Sequence, residues 1–387
     1  MENQKICIIG GGLTGLITAL SLSKLNLKID LIPGNINQNL KSNRTTAISQ
    51  NNYEYLNKLN SFKFSKNEFW PCSQIKLYTE TKKKDFTEVF ELNDDKKKIF
   101  YIMENSKIIK YLIKEIKKNK LISFEKEKKV YKISNSGLLK SAKFNNNSSK
   151  YNLIIICTGI NSDLVKKIFP EKSFNYSYDE ISITATLDHS PLKNNIARQI
   201  FLDHEILALL PISNTRTSIV WSVKKNKMKE YIDKNLIHKK IRFYTKKYLK
   251  NLKFINGIEQ KNLNFFIREK YCQDRVLLFG DALHAIHPFV GQSFNMTLRD
   301  LITLEKTLKN KINLGLDIGS SNILTEFSHE IKSRNFVFSL GVDFIKKFFS
   351  LKEEPFKIFR NTVITKLNKN RFAKNIFFDL ANKGFKF

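Results

Sequence analysis

KICIIGGGLTGLITALSLSKLNLKIDLI, residues 5–32, joins four pieces in a fixed order. KICII is an apolar run of strand length, and LTGLITALSLS carries helical spacing. KIDLI returns to a strand. The turn between the first two pieces places Gly10, Gly12 and Gly15 on the pattern G-x-G-x-x-G. The first glycine permits a tight turn, and the second lets backbone approach a pyrophosphate. The third lets the helix close on the strand. Leu13 and Thr14 open the helix, whose free N–H groups face the phosphate charge. A lone glycine triplet is weak evidence, but one that follows a strand and opens a helix predicts a dinucleotide site. The second strand of such a unit should end in an acid that bonds a ribose hydroxyl. Here Pro33 stands near that place, and Asp30 lies three residues earlier and faces elsewhere.

The chain has 387 residues, enough for two closely packed domains. Cys7, Cys72, Cys157 and Cys272 form no CxxC pair, so neither a disulfide framework nor a metal site is expected, and a reducing cytoplasm fits. The first apolar run is too short for a signal peptide, and no stretch is long enough to span a bilayer. The formal net charge is +31. Its lysines are scattered, as in KKK at 82–84, KKK at 96–98 and KKNK at 224–227, and form no stripe with interleaved aromatics. That pattern argues against nucleic acid as a partner and suits a basic surface near anionic lipid.

RVLLFGDALHAIHPFVGQSFNMTLRDL, residues 275–301, is the second dense stretch. A buried strand runs into an Asp, two His, a Pro and a Gly-Gln turn, and a helix follows. NRTTAISQNNYEYLNKL (43–59) and IMENSKIIKYL (102–112) each end in a helical pattern, and YNLIIICTGINSDLVKKI (151–168) holds a strand before Thr158 and Gly159. These stretches, with the glycine turn, resemble the flavin-dependent aromatic hydroxylases, and within them the ubiquinone-biosynthesis hydroxylases. The family fingerprint GDAAHxxHPxxGQGxNxxxxD is met by Gly280, Asp281, His284, His287, Pro288, Gly291, Gln292, Asn295 and Asp300, with Leu283 and Ser293 as departures. In the 151–168 stretch Thr158 replaces the family's Asp.

The resemblance covers nearly the whole chain and implies an α/β fold. A Rossmann-like FAD-binding domain (1–70, 100–172 and 272–330) would carry an inserted antiparallel β-sheet substrate domain (71–99 and 173–271). C-terminal helices (331–387) would follow. By resemblance FAD is held by Gly10, Gly12, Leu13, Thr14, Gly15, Arg44, Asn105, Asp281, Pro288, Gly291, Gln292, Ser293 and Asn295. Asp281 would accept from a ribityl hydroxyl and Arg44 would approach the pyrophosphate. The helix after Gln292 would stabilise negative charge on the reduced ring. His284 and His287 shape the turn, since a pair at i, i+3 with no third ligand is poor metal evidence. No side chain is assigned as a catalytic nucleophile, because the flavin carries the hard chemistry.

The implied function is monooxygenation of a phenol, most simply a polyprenylated ubiquinone precursor, with NAD(P)H or another donor as reductant. Hydroxylation of another small aromatic stays open, as does a non-catalytic FAD-binding subunit of a quinone-biosynthesis complex. The expected location is cytoplasmic, with peripheral contact at the inner membrane. Between Ile181 and Val223 the sequence alternates like strands and resembles the family's substrate-facing sheet, joined by strands near 74–79 and 86–92. FNNNSSKYN, residues 144–152, reads as a surface turn. From Ser320 onward the pattern is helical, and FVFSLGVDFIKKFFS, which begins at Phe336, alternates apolar clusters with lysines. This helix is expected to cap the FAD domain, with an exposed apolar strip as the lipid-facing alternative.

Overall fold

The structure, a computed structural model, describes residues 4–350 except 60–63, 65–67, 81–84, 94–97, 146, 161, 171–172, 204, 230–233, 256 and 289–290. After 350 it describes only 362–364, 366–370, 374–375 and 379. The principal elements of the first half are β1 (Lys5–Ile9), α1 (Leu13–Ser23), β2 (Lys28–Ile32), β3 (Gln74–Glu80), β4 (Phe86–Asn93), α2 (Asn105–Lys118) and β5 (Leu153–Ile156). There follow β6 (Ser173–Asp188), β7 (Ile196–Phe201), β8 (Ile206–Pro211), β9 (Arg216–Lys224), β10 (Glu259–Arg268), β11 (Val276–Leu278), α3 (Ser293–Asn313) and α4 (Ser321–Ser350).

The first sheet has six strands in the order Cys272–Gln273, β11, β5, β1, β2, Ile122–Phe124. All pairs are parallel except the outer one at Cys272–Gln273. Ile6, Ile8, Ile154, Ile155, Val276 and Leu277 are fully buried. Continuous apolar runs are what a parallel sheet covered on both faces demands. Register sets the ligand end. Ile9 lies beside Ile156, and Ile156 beside Leu278. The glycine turn, the Cys157–Gly159 segment and the Gly280–Ala282 turn therefore leave the sheet side by side at its carboxyl edge, where open α/β sheets bind ligands.

The second sheet has nine strands. Its main path runs His284–Ala285, β10, β6, β9, β8, β7, β3, β4, and Lys253–Phe254 pairs with β6 off that path. It is antiparallel except between β7 and β3, which run parallel from Ile196 beside Gln74. These strands share one layer, as their alternation predicts, and the parallel step between β7 and β3 departs from a purely antiparallel sheet. The 276–278 strand is shorter than the RVLLFG run suggested, because the chain leaves the first sheet at Leu278 and joins the second at His284, opposite Ile267. The 144–152 stretch is a turn only near 144–147, where Phe144 N–H donates to Asn147 O (2.8 Å). Ser148–Tyr151 is then a strand of a separate meander.

α4 is one helix of 30 residues. Ile323, Leu324, Phe327 and Ile331 pack with the parallel sheet's core, while Phe338, Val342 and Phe349 pack with Phe265 and Ile286 on the nine-stranded side. It thus caps both layers rather than the first alone. Phe336, Val337, Leu340 and Phe344 stay exposed. The sequence from Leu351 to Leu367 that continued the amphipathic pattern lies largely outside the described residues. Among the described residues no helix is long and apolar enough to cross a membrane.

Candidate functional site

A cavity of about 990 Å³ runs from the carboxyl edge of the parallel sheet onto one face of the nine-stranded sheet. Gly10, Gly12, Leu13, Thr14, Arg44, Asn105, Asp281, Pro288, Gly291 and Ser293 all border it. Pro33, Thr158 and Gly159 border it as well. Gly15, Gln292 and Asn295 are not among its lining residues.

The glycines divide by what a side chain would meet. A Cβ on Gly15 would sit 1.9 Å from the Gly10 carbonyl oxygen, and one on Gly11 would sit 2.6 Å from that of Pro33. Gly10, with φ +133°, would place a Cβ 2.6 Å from the Cys157 oxygen. These three are required by protein against protein. Gly12 differs, since a Cβ there meets nothing within 4 Å and would project into open space. The requirement for Gly11 went unread in the sequence because the pattern treats that position as variable. Gly12 caps α1 without a side-chain bond, so the first N–H groups of the helix stay available beside the cavity.

The second fingerprint meets the first directly. Gly280 has φ +64°, and a Cβ there would come 2.7 Å from the Thr14 methyl. Likewise a Cβ on Gly291 would lie 3.1 Å from that of Ala47, beside Arg44. Asp281 sits in the short turn Gly280–Ala282, exposed at the cavity. α3 begins at Ser293 with no side-chain cap, and Ser293 and Phe294 border the cavity. Asn295 is buried and holds the turn together. It donates to Ala47 O (2.8 Å) and Gly291 O (3.2 Å) and accepts from Ser49 N–H (2.9 Å). Both amide atoms of Gln292 are buried with no hydrogen bond among the described residues.

The two histidines are buried and are not among the cavity's lining residues. His284 Nε2–H donates to Asp300 (3.2 Å), which also accepts from Asn335 (2.8 Å). His287 Nε2–H donates to Glu180 (3.0 Å), and Lys346 Nζ of α4 donates to the same carboxylate (2.8 Å). Burial pushes the His287 pKa down, against the pull of Glu180. Burial alone would raise Glu180, but hydrogen bonds from His287 and Lys346 prevail and draw it to about 2. This anchor of the fingerprint turn had no signal in the sequence beyond the histidine itself.

Arg44 is already engaged at one nitrogen. Its Nε–H pairs with Glu259 Oε1 (3.0 Å) and contacts Ser42 Oγ (3.2 Å), while Glu259 Oε2 accepts from Ser42 Oγ–H and Asn43 N–H (2.9 Å each). Asn105 accepts from Thr46 (2.8 Å) at the start of α2. Asp30 bonds Tyr151 and Lys5 (2.7 Å each), so it serves the sheet and not a ribose. Burial pushes the Cys157 thiol well above its ordinary range, so this cavity-lining cysteine is no thiolate nucleophile.

The far wall is the nine-stranded sheet, read at period two. Ile183, Ile219, Leu207, Leu209, Trp221 and Ile200 fill the core on one face. Ser182, Thr184, Val220, Ala208, Leu210, Ala197 and Gln199 line the cavity on the other. Ser182, Thr184, Ala197 and Ala208 are small, which leaves space over that face.

The cavity suits a dinucleotide flavin on this geometry. An open cradle at Gly12 and uncapped helix starts at α1 and α3 face one space, and Asp281 offers an acceptor between them. The chain is 27% identical over 267 residues to the ubiquinone biosynthesis monooxygenase COQ6, mitochondrial, of Xenopus tropicalis, covering 60% of this chain and 57% of that protein. The Danio rerio protein of the same name is 24% identical over 431 aligned positions, covering 93% and 86%. The crystal structure of p-nitrophenol 4-monooxygenase PnpA from Pseudomonas putida DLL-E4 matches with a TM-score of 0.80 at 14% identity, over 100% of both chains, which is a likeness of fold. The sequence pattern described as FAD binding domain matches residues 3–330, and with that span of the 387 residues the chain belongs to the FAD binding domain family.

Proposed function

We propose that this chain is an FAD-dependent monooxygenase that hydroxylates a phenol ring, and that its substrate is a polyprenylated precursor of ubiquinone. The observation that carries the reading is the continuity of one cavity, from the glycine turn at Gly10–Gly12 to the face bearing Thr184, Ala208 and Gln199. A cofactor edge and an aromatic ring can share it. The names of the COQ6 relatives supply the substrate class. FAD, when bound, supplies the electron storage and oxygen activation that place a hydroxyl on the ring.

The chain's own residues do the rest. Gly12 gives the pyrophosphate room, and the N–H groups opening α1 meet its charge. Arg44, gripped at Nε by Glu259, has its terminal nitrogens for phosphate oxygens. Asp281 accepts from a ribityl hydroxyl. The start of α3, at Ser293, favours negative charge on the ring edge it faces. Ile75, Phe100, Ile102 and Leu210 exclude water around the aromatic ring. In this reading 1–70, 100–172 and 272–330 form the FAD-binding part and 71–99 with 173–271 the substrate part. Electrons come from NAD(P)H or another donor; Thr158, in place of an acid, leaves no charge there to repel or pair with a nucleotide.

The test is direct. Purified protein should carry yellow flavin, consume reductant faster with a prenylated phenol, and release the ring with one added oxygen. Flavin without phenol-stimulated turnover would leave the non-catalytic subunit as the better account. A second feature favours peripheral contact with anionic lipid. Phe336, Leu340 and Phe344 are exposed at spacings of four on α4, with exposed Lys332 and Lys347 nearby. Leu340→Asp/Phe344→Asp should abolish cosedimentation with phosphatidylserine vesicles while leaving flavin content intact. Unchanged cosedimentation would remove α4 as the contact.

A further inference from the structure

The carboxyl end of β2 lacks the acid that bonds an adenosine ribose in units built as strand, glycine turn, helix and strand. Pro33 stands at that place and borders the cavity. Asp30, three residues back, is committed to Tyr151 and Lys5. Among the described residues two carboxylates line the cavity, those of Asp281 and Glu259. Asp281 follows β11, which stands three places from β2 in the sheet, roughly 14 Å at ordinary strand spacing. Glu259 is spent on Arg44, Ser42 and Asn43.

What the chain offers at this end is an amide. The strand stops before Pro33, and Gly34, at φ +61°, turns the backbone. Asn35 Oδ1 accepts from Asn37 N–H (3.1 Å), and buried Ile36 pins the turn to the parallel sheet's core. The short helix Asn37–Leu40 brings Asn39 back to the glycine turn, where its Nδ2–H donates to Gly11 O in a long bond of 3.4 Å. Gly11 is also the residue packed on Pro33, since a Cβ there would lie 2.6 Å from the Pro33 oxygen. One glycine thus touches both the end of the strand and Asn39. A carbonyl can only accept, so the amide nitrogen faces Gly11 and Oδ1 lies on its other side. Asn39 is half-buried and borders the cavity, and among the described residues no donor is paired with its Oδ1.

We propose that Asn39 holds the adenosine ribose of FAD, its Oδ1 accepting from a ribose hydroxyl in place of the missing carboxylate. This deepens the flavin reading above and rests on it. A neutral acceptor makes a weaker hydrogen bond than a carboxylate, so the adenosine half is held less firmly than in units that carry the acid. The open cradle at Gly12 and the turn bearing Asp281 then carry a larger share of the grip. Asn39 reaches the site from outside β2, so a change at Asn39 leaves the pairing of β2 with β1 intact.

The experiment separates the two halves of the cofactor. Flavin-free protein is titrated with FAD and with FMN, each followed by quenching of flavin fluorescence, and ADP is measured by its displacement of FAD. FMN lacks the adenosine half, and ADP lacks the flavin half. Asn39→Ala should weaken FAD and ADP binding about tenfold, the worth of one neutral hydrogen bond, and leave FMN affinity within about twofold of the unaltered protein. Asn39→Leu, which keeps the bulk and removes the polar atoms, should do the same, with the melting temperature of both variants unchanged. FAD or ADP affinity that stays within twofold of the unaltered protein would overturn the proposal. So would equal losses for FAD and FMN, the mark of a disturbed glycine turn rather than a lost ribose contact. If the unaltered protein binds neither FAD nor FMN, the flavin reading itself fails and this proposal falls with it. The two failures are thus told apart.

Discussion

Glu180→Gln tests how the second fingerprint is held. Glu180 reaches His287 because β6 shifts register between Ser177 and Glu180, where Asp179 adopts φ +53°. The carboxylate then receives His287 (3.0 Å), Lys346 (2.8 Å) and, more distantly, Lys224 (3.6 Å). Its fall from 4.5 to about 2 amounts to about 3 kcal/mol at about 1.4 kcal/mol per pH unit. Breaking a buried ion pair by removing one partner costs a similar amount, about 3–5 kcal/mol, because Lys346 loses the carboxylate it donates to in a buried setting. The sign with pH follows from the direction. A carboxyl held below its ordinary pKa contributes stability above about pH 4.5, and that contribution drains away as pH falls toward 2. His287 is pushed the same way by burial, so acidification below its ordinary 6.5 also favours the unfolded chain. Urea unfolding of the two proteins, followed by circular dichroism from pH 7.5 down to pH 3, should show a gap of about 3 kcal/mol at neutral pH that narrows below pH 4.5. A gap under about 1 kcal/mol at neutral pH, or one that does not change with pH, would refute the anchor as drawn.

Other outcomes separate residues that serve the fold from residues that serve the cofactor. Gly12→Val should leave the melting temperature of the flavin-free protein unchanged and weaken FAD binding at least tenfold, measured by flavin fluorescence quenching, since its side chain enters open space. Gly15→Ala should instead destabilise the protein itself, because its Cβ would sit 1.9 Å from a carbonyl oxygen; normal melting would contradict that packing. Asp281→Ala should yield colourless protein on purification, and full flavin occupancy would dismiss Asp281 as a cofactor ligand. Gly280→Ala should cost about 1–2 kcal/mol for its left-handed backbone alone. The further loss from contact with Thr14 should be recovered in part by Thr14→Ser, which removes the touching methyl.

How much of this was legible in the sequence depends on range. The strand–turn–helix–strand at 5–32 is local, and its apolar periodicity and glycine spacing state the geometry outright. The strands between Ile181 and Val223 were legible for the same reason. Contacts across long separations left no periodic trace. Arg44 with Glu259, Glu180 with His287, and the parallel pairing of β7 with β3 join segments more than a hundred residues apart. A buried charge in one segment does not announce its partner in another. Motif matching also misleads in a particular way. Asn295 matches the family fingerprint, yet its side chain is spent on Ala47, Gly291 and Ser49. A residue can be fixed by the turn it braces rather than by the ligand the turn faces, and the letters alone do not separate the two.

The short passage from Leu278 to His284 joins the two walls of the cavity. In that span the chain leaves the parallel sheet and enters the nine-stranded one. Asp281 sits midway, in a turn pressed against Thr14 of the glycine helix. The turn is therefore tethered at both ends to rigid sheets and on its side to the first fingerprint. Loop residues placed by stiff neighbours hold their positions better than loops hung from one element. His287, next along the chain, is tethered in turn to Glu180 and, through it, to Lys346 of α4. A displacement of either sheet would move Asp281 and Pro288 together. The angle between the sheets, more than any single side chain, fixes where Asp281 and Pro288 stand relative to Ala208 and Val220 across the cavity.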